Sequence, residues 1–381
     1  MAKVKKILII NAFYWPGFKS GGPQQSIMNL VDVFGDRATL HILTLNHDFR
    51  SNEPYSQVKS DEWNTVGKAK VFYSSSDAFS LRFLLKMTQG YDAIYLCEPY
   101  RTHSWKTLLL KKMGFIRAKI YLAPMGCFSS GALRQKAFKK CIFWHVFDFL
   151  NLGNGITWSF TSDMERREAL CVLKEKKATD YLVATDLPRK YEDFRYLRAA
   201  QRKNKGEVKI VFLSRFSPKK KLDYALDLVK DLSGSVTFDL YGPIDDGRYW
   251  ASCREKIKEM PDNVTCCYRG EVKPEDVVRV LSFYDCFLLP TLGENFGHVV
   301  YEALLSGCIP VISNNTPWNE IEQMGCGFVS DLSDRDAFIE KLKKIVSMEE
   351  PQIALYRERG YLFSKKTYGR LVEESGYKRI L

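Results

Sequence analysis

The sequence predicts an α/β protein made of two doubly wound, Rossmann-like domains in tandem. Three observations predict it. A chain of 381 residues is longer than one ordinary core and suits two α/β domains of near-equal size. Short β-branched runs alternate with helical patterns, which is how a parallel sheet with crossover helices reads. The alternation stops at a polar, basic segment over residues 186–207 and then begins again.

In the first series the strand-like runs are Lys6–Ile10, Leu40–Leu45, Lys70–Tyr73, Ala93–Cys97 and Lys119–Ala123. In the second they are Val208–Leu213, Ser235–Tyr241, Val264–Tyr268, Asp285–Leu289, Ile309–Ile312 and Gly327–Ser330. Domains are therefore expected at 1–195 and 196–360, followed by a C-terminal helix at 361–381. In doubly wound sheets ligands bind beyond the carboxyl ends of the strands, so the loops leaving those ends are where chemistry belongs.

Composition narrows the class. Apolar residues are 45% of the chain and aromatics 13%, which excludes disorder, and no period of a solenoid or propeller repeats. The opening MAKVKKILII has only four apolar residues before Asn11, too few for a signal peptide or a span, and predicts a cytoplasmic protein. The ten cysteines form no CxxC pair and read as buried thiols of a reducing compartment. Of the net charge of +12, all the excess lies in residues 1–200, with 30 Lys+Arg against 18 Asp+Glu. Residues 101–147 hold ten basic residues and no acid, so an anionic partner is expected beside that half.

The strongest chemical signal is the segment from Pro290 to Val311, which leaves a strand and enters a helix. Glu294 and Glu302 stand eight residues apart. Val299, Val300, Ala303 and Leu304 supply an apolar face, with Asn295, His298 and Glu302 expected on the other. Free backbone N–H groups of Phe296, Gly297 and His298 at the helix start would suit a diphosphate. Glu302 could grip ribose hydroxyls and Glu294 sugar hydroxyls. The plainer reading is a surface helix with incidental acids, which the strand exit, the glycines and the trailing Gly307-x-x-Pro310 argue against.

This segment resembles the E-x7-E signature of retaining GT-B glycosyltransferases, family 4 (glycosyl transferases group 1). Phe212 to Asp223 resembles the strand-and-loop motif in which an Arg and a Lys hold the donor diphosphate, here Arg215 and Lys220. Fixed cations would stabilise a departing nucleoside diphosphate without a metal. Lys221 stands where the family often has Gly. Gly242 matches a Gly turn after the next strand, and Glu271 and Val272 a loop that contacts the base. Gly21 and Gly22, before a helix with an Ile27, Leu30, Val31, Phe34 stripe, resemble a loop that closes over the donor.

The resemblance runs from about Lys6 to Ser330 and implies a GT-B architecture, two Rossmann-like domains facing across a cleft. It implies that the last helix, near Tyr361–Tyr377, crosses back onto the first domain. The activity implied is retaining transfer from a nucleotide diphosphate sugar, with no cofactor, to a glycan acceptor carried on a lipid, in surface polysaccharide assembly. Many members place a His after the strand Lys119–Ala123, where this chain has Met125. That contact is either absent or supplied from elsewhere. His103 is one candidate, although a lone His in a basic helical stretch reads first as structural.

No metal site is expected. Asp334-Arg335-Asp336 is the sole Asp-x-Asp string and opens a helical pattern, which makes it a cap. Arg134, Lys136, Lys139 and Lys140 lie among large aromatics in the pattern of an interfacial helix, a membrane or acceptor face. Such a protein would sit on the inner face of an anionic membrane. Equally, the aromatics could fill the core and leave the lysines solvated. A nucleotide-sugar epimerase shares the architecture and is the nearest alternative. A nucleic-acid-binding protein would explain the basic half but not the glutamates, and no nucleic-acid-binding motif is present.

Overall fold

The computed structural model describes residues 4–129, 133, 137–173, 180–191 and 203–381. The chain divides into two compact units, Met1–Lys190 with Arg370–Leu381, and Tyr191–Gly369. Among its described residues the first unit contains eight strands, β1 (Lys6–Ile10), β2 (Thr39–Leu45), β3 (Trp63–Val66), β4 (Ala69–Ser74), β5 (Ala93–Cys97), β6 (Lys119–Ala123), β7 (Ile156–Phe160) and β8 (Tyr181–Val183). Their order across the sheet is β3-β4-β2-β1-β5-β6-β7-β8. All neighbours are parallel except β3 and β4, an antiparallel hairpin turning at Gly67 with φ 55°.

Helices cover both faces: α1 (Gly22–Phe34), α2 (Leu81–Met87), α3 (Thr102–Lys112), α4 (Ala137–Phe149) and α5 (Asp163–Val172). This is why β1 reads KILII without alternation: Leu8 and Ile10 pack into one core layer, Ile7 and Ile9 into the other. Tyr377 and Ile380 of the tail join the second layer, where Gly376 is pressed against the Val183 carbonyl. The strands β3, β7 and β8, which the alternation does not announce, are short or lie toward the sheet edges.

Among its described residues the second unit has six parallel strands, β9 (Glu207–Leu213), β10 (Ser235–Tyr241), β11 (Val264–Gly270), β12 (Cys286–Leu289), β13 (Ile309–Ser313) and β14 (Phe328–Ser330). Their order is β11-β10-β9-β12-β13-β14. The helices are α6 (Leu222–Lys230), α7 (Gly247–Lys258), α8 (Val277–Leu281), α9 (His298–Ser306), α10 (Arg335–Ser347) and α11 (Glu350–Glu373), the last carrying the chain back to the first unit. Strand order reverses between β9 and β12, the point at which a doubly wound sheet leaves a crevice. β9 pairs with β10 over its full length but with β12 only at Ile210–Cys286 and Val211–Phe287. The carboxyl ends of β9 and β12 are therefore unpaired with each other, and the loops they feed diverge.

Two sequence expectations need correction. The cysteines are all free, but only Cys97, Cys253, Cys286, Cys308 and Cys326 are buried, while Cys141 and Cys171 lie on exposed helix faces. The helix α9 does not present an outer polar face at Glu302: residues 300–306 are buried throughout, Glu302 among them. It is a central helix between the sheet and α11, where Gly360 packs on Leu304. Among the described residues no helix is long and apolar enough to cross a membrane.

Candidate active site

After β9 the chain must turn sharply beside the loop that follows β10. The Ser214 N–H donates to the Tyr241 carbonyl at 3.0 Å and the Phe216 N–H to the Pro243 carbonyl at 2.9 Å. At Gly242, φ is 138° and a Cβ would fall 1.9 Å from the Ser214 carbonyl oxygen, so only glycine fits. The Gly242 N–H in turn donates to Gly270 at 2.9 Å, which ties the loops after β9, β10 and β11 together. Gly242 acts here as a backbone coupler, and Arg215 leaves from the loop it secures. Glu271 is exposed and Val272 half-buried just beyond this turn. Arg269 belongs to the scaffold, its Nε on the buried Asp239 at 2.9 Å.

Pro218–Lys220 forms a single 3-10 turn that Lys221 ends in the left-handed conformation, φ 56°, before α6 begins. A left-handed residue is what glycine supplies most cheaply, which explains why Gly suits this position and why Lys carries strain there. The turn is stitched to the loop after β12, where the Leu292 N–H donates to the Lys219 carbonyl at 2.8 Å, and that loop is tied to the one after β13 by the Glu294 N–H on the Asn315 carbonyl at 3.1 Å. These bonds bring the Lys220 ammonium onto the Glu294 carboxylate across the switch point, as an ion pair with each side chain only 12% exposed.

Gly297, with φ 78°, redirects the chain into α9 and lies close enough to Glu294 that a Cβ there would be 3.5 Å from its Cβ and Cγ. The positive end of the α9 dipole thus adjoins the glutamate loop. Phe296 is buried, its carbonyl bound by the Trp318 indole N–H and its ring 4.8 Å from the His298 ring. Burial pushes the His298 imidazole down to about 4, so it is neutral at pH 7. Asn295 stays half-buried at the loop's tip. Glu302 is 8% exposed, one turn into α9, and its Oε1 accepts a hydrogen bond from the Tyr191 hydroxyl at 3.3 Å. The Lys365 ammonium holds the Tyr191 carbonyl at 3.3 Å. A buried carboxylate is costly unless its charge is used, which speaks against incidental acids.

In the first unit Gly21, φ 79°, caps α1 after the β1 loop, whereas Gly22 has ordinary helical geometry and open space around it. Met125, φ 53°, and Gly126 turn the chain after β6. That turn rests on Glu165, which sequence reasoning missed: its Oε1 accepts from the Gly126 N–H and its Oε2 from the Thr161 N–H at 2.7 Å. The Ser162-x-x-Glu165 spacing that opens α5 is the signal that could have found it. His103 is not a substitute for the missing His. It is buried against Phe79, bonded to the Cys97 carbonyl at 3.2 Å and pushed by burial down to about 3. Asp334 caps α10, accepting from the Ala337 N–H at 3.0 Å. Among the described residues no three His, Cys, Asp or Glu side chains gather as metal ligands.

Residues 193–360 match the family model for glycosyl transferases group 1. The matched residues all lie in the second unit. A 113-residue stretch is 34% identical to an uncharacterised 41.2 kDa protein in the cps region of Klebsiella pneumoniae, covering 29% of this chain and 28% of that one. In the fold, the whole chain is similar to Anabaena Alr3699/HepE, solved in complex with UDP and glucose. The TM-score is 0.65 at 16% identity, over 97% of this chain and 98% of that one. It is also similar to WaaG, a glycosyltransferase involved in lipopolysaccharide biosynthesis, with TM-score 0.66 at 13% identity over 97% and 98%. The fold of the chain is GT-B, and Arg215, Lys220, Glu294 and Glu302 lie within the matched residues 193–360, around the switch point between β9 and β12.

Proposed function

We propose that the chain is a retaining, metal-independent glycosyltransferase that moves a sugar from a nucleotide diphosphate sugar to a glycan acceptor carried on a lipid. The observation that carries this reading is the Lys220–Glu294 pair, a cation and a carboxylate held together across the switch point of the second unit. A diphosphate entering there would take over the ammonium and leave Glu294 to accept hydrogen bonds from sugar hydroxyls.

In the reaction the bond from the anomeric carbon to the diphosphate oxygen breaks and a bond to the acceptor oxygen forms on the same face. The acceptor proton passes to the departing phosphate oxygen. Arg215 and Lys220 stabilise the charge that builds on that oxygen, and the α9 N-terminus adds to it. Glu302 accepts from the ribose hydroxyls. The UDP-bound HepE neighbour supports a nucleotide-sugar donor, and WaaG and the cps-region relative support surface polysaccharide assembly.

The test is incubation with a panel of nucleotide sugars in EDTA, following nucleoside diphosphate release with and without acceptor glycans. Acceptor-dependent release, with the donor's anomeric configuration kept in the product by NMR, is expected. Sugar isomerisation with donor alone would replace this reading with an epimerase. Salt-sensitive RNA or DNA binding with no turnover would replace it with a nucleic-acid protein.

A further inference from the structure

The helix α4 is apolar on two opposite faces, and only one of them is covered. Phe143, Trp144 and Phe147 point inward, Trp144 stacking on Phe128 at 5.0 Å and Phe147 packing beside Trp158. On the other side Phe138, Ile142, Val146 and Phe149 recur at steps of four, four and three, which places them in one stripe along the helix. All four are exposed, Phe138 at 78% and Phe149 at 88%. The Lys112 ammonium bonds the Leu150 carbonyl at 2.5 Å, bringing the end of α3 beside the end of α4. Met113 and Phe115, just after Lys112, are exposed as well.

Surface helices normally turn charge to solvent, and soluble monomers rarely leave a patch of this kind open. Its rim is mainly cationic. Lys112, Arg117 and Lys139 are exposed, residues 101–147 contain no acid, and the one acid of α4, Asp148, is half-buried beside Phe149. Lys140 departs from the expected face, its ammonium lying over the Tyr100 ring at 5.2 Å on the packed side. Arg134 and Lys136 lie outside the described residues.

We propose that this stripe inserts into the headgroup boundary of an anionic lipid bilayer, with α4 lying parallel to the surface. The charge pattern selects this occupant. A second copy of the chain would set one mainly cationic rim against another, which is repulsive. An anionic surface attracts each rim cation while the phenylalanines enter the acyl region. The inference fits a lipid-carried acceptor but stands on the patch alone, so it survives if glycosyl transfer fails.

Co-sedimentation of the full chain with vesicles tests it. Binding to phosphatidylcholine vesicles containing phosphatidylglycerol is expected, falling at least about tenfold with pure phosphatidylcholine or in high salt. Phe138→Ser with Phe149→Ser is expected to reduce binding about tenfold or more, because it removes the two largest inserting groups. Phe283→Ser, an exposed phenylalanine of the other unit, is expected to change nothing. All three positions are solvent-exposed, so circular dichroism and nucleotide-induced thermal shifts should match the wild type. Failure to bind anionic vesicles, or binding untouched by the double substitution, overturns the proposal. So does a dimer in sedimentation velocity that the same double substitution dissolves, which would assign the face to a second copy.

Discussion

Lys220 and Glu294 come from loops after two different strands and meet as a nearly buried ion pair, held by backbone bonds from the Leu292 N–H to the Lys219 carbonyl and from the Glu294 N–H to the Asn315 carbonyl. Such a pair could be a strut or the resting state of a site, and charge reversal separates the two. In Lys220→Glu with Glu294→Lys the pair persists but the cation moves to the wrong loop. A strut would tolerate that. The transfer reading expects near-wild-type melting with kcat down at least about 100-fold, the scale of losing a fixed transition-state donor.

Tyr191 occupies the Glu302 carboxylate that ribose hydroxyls would need. Removing its hydroxyl in Tyr191→Phe is expected to tighten nucleoside diphosphate binding up to about fivefold, one modest hydrogen bond. Glu302→Gln is expected to weaken it. Isothermal titration of both variants checks the pair of signs.

Lys221 is a left-handed non-glycine residue whose contact with Asp223, 3.3 Å, is partly exposed and worth little. Lys221→Gly should therefore raise stability by about 1 kcal/mol in urea denaturation, with donor affinity unchanged.

Asp186 is buried in the first unit, and burial is the main cause that raises its carboxyl to about 7; the charge of Glu165 adds to this and the Ser26 hydroxyl opposes it. The sign follows directly. From about pH 4 to about 7 the unfolded chain has released this proton while the native protein still holds it, so stability falls as pH rises through that window and levels off above it. The wild type should lose on the order of 2 kcal/mol between pH 5 and pH 8 from this group. Asp186→Asn should not, and paired denaturation curves at the two pH values check it.

The parallel strands were legible because strands covered on both faces are written as unbroken apolar runs, as in KILII and CFLL. The E-x7-E segment was legible because its strand exit, Gly297 turn and helix are contiguous. What stayed hidden depends on distant partners. The left-handed Lys221 follows from a turn stitched to Leu292, the burial of Glu302 from α11 packing over α9, and the support of Gly126 from Glu165 thirty-nine residues on. The division of α4 into a packed face and an open one likewise required knowing where Trp158 and Tyr100 lie.

The most direct test of the donor site is thermal stabilisation by nucleoside diphosphates and nucleotide sugars in EDTA. Wild type, Lys220→Ala and Glu302→Ala would be run side by side. The account predicts that one base family raises the wild-type melting temperature and that both variants lose the rise. No stabilisation by any nucleotide, or an equal rise in all three proteins, would contradict it.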